Sequence, residues 1–320
     1  MSIAIAATLV GLAALAWSAD RFVDGAVAVA RYLGMAPLLV GMLVIGFGTS
    51  APEFVVSAFA AATGAPEIAL GNALGSNVAN IGLILGVTAL LTPVLVHRGI
   101  VRKELPVLLG VTCLAGGLML DRELARFDAV VLVVVLAALV GWSIWQSRSV
   151  ADDALAHDVG VEAESHHLTR RAAWMWLVVG IVLLVMSSRV LVWGAVGIAE
   201  RLGWSDLVIG LTVVAIGTSA PELASSIAAV RKGENDLALG NIIGSNLFNT
   251  LGVIGLAGLI TPAAVPPELM TRDLPVVLGL TVALVVFAIW PVGKGRVTRI
   301  EGGVLVAAFV TYLGVLLATA

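Results

Sequence analysis

The chain has 320 residues, of which 60% are hydrophobic and only 12% charged, with a formal net charge of −3. Its mean hydropathy is +1.06. A soluble domain carries roughly 25% charged residues, so these values describe a membrane protein with no sign of nucleic-acid binding. The single cysteine, Cys113, excludes an internal disulfide and a cysteine metal cluster, and the four histidines form no ligand motif.

The first predicted element is an apolar run from Ile3 to Trp17. It follows Met1 and Ser2 with no positive n-region, so it reads as a first span of the mature protein rather than a signal peptide. Apolar runs of about 20 residues predict ten spans, at about 2–31, 36–62, 67–91, 104–120, 127–146, 171–200, 206–230, 236–260, 272–290 and 299–318. Spans one and six are longer than a crossing needs and read as tilted or protruding. Within span one, Asp20 and Asp24 flank Arg21 and read as an intrahelical charge cluster at the interface.

Span two carries Gly48-Thr49-Ser50-Ala51-Pro52-Glu53. A carboxylate at the bilayer centre costs roughly 2.5–3.5 kcal/mol on insertion scales, so Glu53 implies a site that needs charge. Thr49 and Ser50 lie four and three residues before Glu53 and share its helical face. Pro52 lacks an N–H and its ring presses on the Gly48 carbonyl, which predicts a broken helix with freed carbonyls. Backbone of that kind is tolerated at membrane depth only where it is buried in protein or lines a cavity. Span three carries Asn72, Ser76 and Asn80 at four-residue spacing, one polar stripe beside the small pair Gly71 and Gly75.

Between spans five and six lies the one sizeable polar segment, roughly 147–170. Its acids (Asp152, Asp153, Asp158, Glu162, Glu164) and histidines (His157, His166, His167) follow no Asp-x-Asp-x-Asp-Gly calcium pattern, and it reads as a solvated linker.

The second half then repeats the first at a constant offset of 169 residues. Span seven reads Gly217-Thr218-Ser219-Ala220-Pro221-Glu222, and span eight repeats the stripe as Asn241, Ser245 and Asn249 beside Gly240 and Gly244. The register also pairs Gly11 with Gly180, Gly86 with Gly255, Pro93 with Pro262 and Pro106 with Pro275. Five spans per repeat is an odd number, so the halves enter the membrane in opposite senses. The predicted fold is therefore an all-α polytopic membrane protein. Its ten transmembrane helices form two inverted-topology five-helix repeats, with helices two and seven broken. The expected divisions are 1–149, a linker at 150–170 and 171–320. With both termini outside, the Lys and Arg residues fall twelve inside and four outside, with Arg21 and Arg189 inside spans, which accounts for all 18. That bias places the linker in the cytoplasm. Leu251, on span eight, is expected to face lipid.

Carboxylates, hydroxyls and freed carbonyls are hard oxygen ligands of the kind that calcium takes six to eight of, and sodium accepts the same atoms. A hydrolase would need a His, Lys or paired-Asp partner at depth, and none lies near Ser50 or Ser219, so the chain is not read as an enzyme. A channel is disfavoured by the duplicated broken helices.

Gly-Thr-Ser-Ala-Pro-Glu paired with Gly-Ser-Asn-x-x-Asn, twice, resembles the two α-repeats of the cation/calcium exchanger superfamily, and most closely its prokaryotic sodium/calcium exchangers. The resemblance covers essentially the whole chain. It implies antiport of Ca²⁺ against Na⁺ in the cell (inner) membrane, with these ions as substrates, no cofactor and no obligate protein partner. It further implies Glu53 and Glu222 as carboxylates shared by both ions, and Thr49, Ser50, Thr218 and Ser219 as hydroxyl or carbonyl ligands. Gly46 and Ala215 would offer carbonyls, Ser76 and Ser245 would complete sodium positions, and Asn80 and Asn249 would line the middle position. Spans one and six would slide across the core as gates. Exchangers often carry Asp where this chain has Asn249, which puts potassium co-transport in doubt. The absence of an acidic Gly-Asn-x-x-Glu motif on spans three and eight argues against the alternative of proton coupling.

Overall fold

The computed structural model describes residues 1–154, 168–203, 215–289 and 295–319. Helix α1, Ser2–Leu33, stops where Gly34 turns left-handed at φ 62° and its N–H closes onto Ala30 and Arg31, a conformation open to glycine. Pro37 then starts α2, Pro37–Thr49, which meets α3, Ala51–Ala62, at a bend of 45°. Pro52 stands in the first turn of α3, so the bend falls where the sequence loses an N–H.

Helix α4, Pro66–Leu91, follows, and a strand β1, Val94–Leu95, leads through the short α5, Arg98–Arg102, into α6, Glu104–Leu118. Strand β2, Glu123–Leu124, precedes α7, Arg126–Ala154. Helix α7 thus continues past the expected end of span five into the segment read as linker, and the rest of that segment up to 167 lies outside the described residues.

Helix α8, Arg170–Arg201, starts at Thr169, whose hydroxyl accepts from the Ala172 N–H at 3.3 Å and so satisfies one free amide of the first turn. The first part of expected span seven also lies outside the described residues; α9, Ala215–Thr218, and α10, Ala220–Arg231, form its remainder. Then come α11, Asn235–Ile260, strand β3, Ala263–Ala264, α12, Leu269–Ile289, strand β4, Arg296–Val297, and α13, Arg299–Thr319. The antiparallel pairs β1–β4 and β2–β3 each tie a loop of one half to a loop of the other.

Among the described residues, seven helices are long and apolar enough to cross a membrane, or eight with the bent α2–α3 pair as one. At 15 residues, α6 is shorter than a full crossing. The apolar windows of α11 and α4 are 89% and 72% buried, against 11% for α7 and 17% for α13. The two repeat helices α4 and α11 therefore form the middle, and the others present Val134, Phe59 and Val310 outward, as hydrocarbon contact requires. Leu251 departs from the sequence expectation. It is fully buried on α11, because α11 is surrounded by protein and has little lipid-facing side.

Helices α1 and α8 cross antiparallel, and their contacts are reciprocal. Gly11 meets the backbone of Leu191 while Gly180 meets that of Phe22; Gly25 meets Leu177 while Gly194 meets Thr8. Each contact becomes its partner when 169 is added to one residue and subtracted from the other. A methyl group on Gly11 would stand 2.6 Å from the Leu191 nitrogen, and one on Gly194 2.6 Å from that of Thr8, so the crossing depends on residues without a side chain. At the crossing, the Ser18 and Ser187 hydroxyls lie 3.4 Å apart, 169 residues apart in the chain.

Candidate functional site

Both broken helices deliver their glutamates to the interior. Glu53 and Glu222 are each only 2% exposed, and each sits in the first turn of the helix that restarts after the break, α3 and α10. Acidic groups are favoured at such a start by the helix dipole and free N–H groups. Glu222 lies close enough to Glu53 for their carboxylates to interact, with the Thr49 and Ser50 side chains beside it. One half therefore faces the other across the centre. Thr218 and Ser219 occupy the matching break before α10, Ser219 buried. Ala215 opens α9.

The central helices α4 and α11 brace these breaks. Thr49 donates to the Asn241 side-chain oxygen at 3.1 Å, while the Asn241 amide nitrogen donates to Ser225 at 3.0 Å, Ser226 at 2.9 Å and the Glu222 carbonyl at 3.3 Å. The copy in the first half is looser: Asn72 donates to Ser57 at 3.0 Å and to the Glu53 carbonyl at 3.4 Å. Ser245 donates to the Gly46 carbonyl at 3.3 Å, and Gly46 lies so close to α11 that a methyl group there would stand 3.0 Å from the Ser245 nitrogen.

Asn80 and Asn249 are both buried. They do not continue a regular stripe. A wide, π-type turn runs through Ala79–Leu85 on α4 and another through Phe248–Val253 on α11. These matching turns re-aim the asparagines relative to Ser76 and Ser245, and such bulges are frequent at functional sites.

Several buried polar atoms in this centre have no hydrogen-bond partner: Ser50 Oγ, one carboxylate oxygen each of Glu53 and Glu222, Asn249 Oδ1 and Asn80 Nδ2, with Asn77 Oδ1 and Asn246 Oδ1 nearby in sequence. Leaving such a group unpaired costs about 1–3 kcal/mol. The assembly is thus rich in buried, underused oxygen. A cavity of about 150 Å³ reaches Asn72, Ser76 and Thr218 from beside Phe309 and Tyr312 of α13. A larger one, about 620 Å³, lies between α1, α8 and α10; its walls are almost all aliphatic, with Asp20 and Arg231 as the charged exceptions. Among the described residues, none of the candidate site side chains lines it.

The charges on α1 reach beyond that helix. Arg21 is only loosely paired with Asp24, at 3.9 Å, whereas Lys232, from the turn after α10, reaches Asp24 at 2.5 Å and the Asp20 carbonyl at 3.0 Å. The Arg21–Asp24 pair lies within one helix, as expected, and Lys232 extends the cluster to the other half, because α1 packs against α10.

Ser57 and Ser226, which fix the bracing asparagines, were not singled out by the sequence argument. Both lie four residues after a glutamate and 169 apart, so the repeat register carried the signal.

A buried pair of carboxylates, one from each duplicated half, at the broken helices of a polytopic helical membrane protein defines a class of membrane protein with a polar site at the repeat interface. Comparison with known proteins names the family within it. The model of the family described as sodium/calcium exchanger protein matches residues 3–145 and 172–318, and the chain belongs to this family, one of exchangers rather than enzymes. It is 43% identical over 313 residues to the putative antiporter CaxA of Alkalimonas amylolytica, with 98% of each chain covered. It is 39% identical over 315 residues to the inner membrane protein YrbG of Escherichia coli, with 96% of each covered. Among solved structures it is similar to the sodium-calcium exchanger NCX_Mj soaked with Na⁺ and Sr²⁺, with a TM-score of 0.82 and 28% identity over 98% of each chain.

Proposed function

We propose that this chain is a secondary-active sodium/calcium antiporter that moves Ca²⁺ against Na⁺ by alternating access. The observation that carries the reading is the opposed pair Glu53 and Glu222, buried at the two helix breaks among oxygens without hydrogen-bond partners. A cation held there offsets the cost of those oxygens. Thr49, Ser50, Thr218 and Ser219, the Gly46 and Ala215 carbonyls, Ser76, Ser245, Asn80 and Asn249 complete the ligand set.

Loaded with one Ca²⁺ or with several Na⁺, the site has its two negative charges neutralised and the core can rearrange. Empty, it holds two buried carboxyl groups and a set of unpartnered oxygens with no cation among them, and these unsatisfied groups resist movement, which enforces exchange over leak.

The antiparallel, reciprocal crossing of α1 and α8 supports two inverted five-helix repeats, 1–149 and 171–320, joined by a linker at 150–170. The Lys and Arg bias supports termini outside and the linker in the cytoplasm. In that orientation the 150 Å³ cavity beside Ser76 and Thr218 opens the site toward the outside. On the cytoplasmic side α2 packs backbone to backbone on Gly240 and Gly244 of α11 and closes it.

Calcium uptake into vesicles, with sodium and pH gradients imposed separately, tests the reading. Uptake driven by sodium alone is the expected result. Uptake driven only by the pH gradient would replace it with the proton-coupled alternative, which uses the same two glutamates.

A further inference from the structure

The proline that breaks span seven leaves one particular backbone group without its helical partner. Pro221 has no N–H, so the carbonyl four residues earlier, that of Gly217, loses the bond a regular helix would supply. The hydroxyl of Ser188 fills the gap. Ser188 lies on α8, is buried, and donates to the Gly217 oxygen at 2.7 Å. One turn further along α8, Val192 sits on the same glycine, so close that a methyl group on Gly217 would overlap its side chain. The gate helix is thus fastened to the break that carries Thr218, Ser219 and Glu222.

The first half is built differently at the matching point. Adding 169 to Ala19 gives Ser188, and to Val23 gives Val192. A strict two-fold arrangement would lay Ala19 and Val23 of α1 over Gly48, the glycine four residues before Pro52. Gly48 instead meets Ile181 of α8. Helix α8 therefore lies over both breaks, and the pair α1–α8 is displaced from two-fold symmetry. In an inverted repeat the opposite access state is reached by exchanging the environments of the halves, which brings α1 over Gly48. The residue arriving there, Ala19, has a methyl group and nothing to donate.

We propose that Ser188 is a positioning residue that latches α8 to the Gly217 carbonyl in the access state seen here and has no equivalent in the opposite state. The latch biases the empty protein toward this state and must break in each transport cycle. This inference rests on the alternating-access reading above. The Ser18–Ser187 contact, self-paired across the crossing, is the natural pivot.

The test compares wild type with Ser188→Ala, Ser188→Thr and Ala19→Ser. Each is checked for monodispersity in detergent and reconstituted in lipid. Two readouts are taken. The first is amide hydrogen exchange in the first turns of α10, measured without calcium or sodium. The second is the ratio of apparent calcium affinities at the two membrane faces.

A buried hydrogen bond held in one state only shifts the balance about fivefold when removed. Ser188→Ala should therefore raise exchange in α10 and move the affinity ratio about fivefold toward the opposite face. Ser188→Thr, which keeps the hydroxyl, should restore both. Ala19→Ser should move the ratio in the same direction as Ser188→Ala by stabilising the opposite state, and it removes no existing contact. Unchanged exchange and ratio in both Ser188→Ala and Ala19→Ser would overturn the latch, as would equal loss in Ser188→Ala and Ser188→Thr. If wild type carried no sodium-driven calcium flux, the antiport reading would fail, while hydrogen exchange would still decide whether the hydroxyl holds α10.

Discussion

The two halves carry the same polar sentence and hold it in different surroundings. Asn241 is 1% exposed and makes hydrogen bonds to Thr49, Ser225, Ser226 and Glu222. Beside it, Gly240 and Gly244 touch the backbone of α2 at Gly41 and Met42. Its copy Asn72 is only partly buried, is bonded to Ser57 and the Glu53 carbonyl, and lines a cavity together with Gly71 and Gly75. Near-identical residues thus make a sealed wall on one side and an accessible one on the other. The polarity of the site comes from how the helices are seated, which is what a transporter built from repeats requires if it is to reverse.

Changes common to both halves should have the largest effect. Glu53→Gln and Glu222→Gln each remove half of the formal charge and keep the shape. A single charge pair at close range is worth about 4 kcal/mol in a partly screened site, so calcium flux should fall by at least about a hundredfold in either, with monodispersity retained. Wild-type flux in either variant would remove the glutamates from the site. As a control, Val310→Asp on the outward face of α13 places a charge in lipid at roughly 2.5–3.5 kcal/mol and should impair insertion instead.

If three Na⁺ exchange for one Ca²⁺, one net charge moves per cycle, worth about 2.3 kcal/mol per 100 mV. Flux should then respond steeply to a clamped potential; indifference to voltage would point to two for one.

The two walls should separate under matched substitutions. Gly244→Val forces a side chain into the Met42 backbone and should lower stability by about 1–3 kcal/mol, read as a lower unfolding temperature. Gly75→Val faces the cavity and should leave stability near wild type while slowing exchange. Equal destabilisation would erase the contrast between the halves.

If Asn249 lines the site as proposed, Asn249→Asp adds a third carboxyl to it, and calcium flux should depend more steeply on pH than in wild type. An unchanged flux and pH profile would mean that Asn249 does not line the site. The smallest effect belongs to the exposed tie between the halves: Lys232→Ala breaks the pair with Asp24, and pairs of this kind are worth at most about 1 kcal/mol. Any change should fade as ionic strength rises.

Much of the candidate site was legible in the sequence. Glu53 and Glu222, their Thr-Ser neighbours and the prolines are local motifs, while Ser57 and Ser226 stand out only through the constant register of 169 residues. Among the described residues, the apolar runs located seven of the ten expected spans, or eight with the bent pair as one, because the bilayer sets their length. The prolines announced a break, since a missing N–H acts locally.

Which face of each helix meets protein was not legible. In water a buried stripe stands out against polar residues, but in lipid both the core side and the outer side of a helix are apolar. Leu251 therefore reads as lipid-facing and proves buried. The wide turns at Ala79–Leu85 and Phe248–Val253 leave no comparable mark: each holds a glycine, Gly82 and Gly252, but glycine is frequent throughout these helices and does not by itself signal a wide turn. The same holds for the reach of Lys232 to Asp24, the seat of Ser188 on Gly217 and the inequality of the two walls. The duplicated sequence specifies the parts of a symmetric machine. Only the packing of α1 and α8 against the core makes the surroundings of the two halves unequal, because that difference lies in contacts between distant segments that a local pattern does not encode.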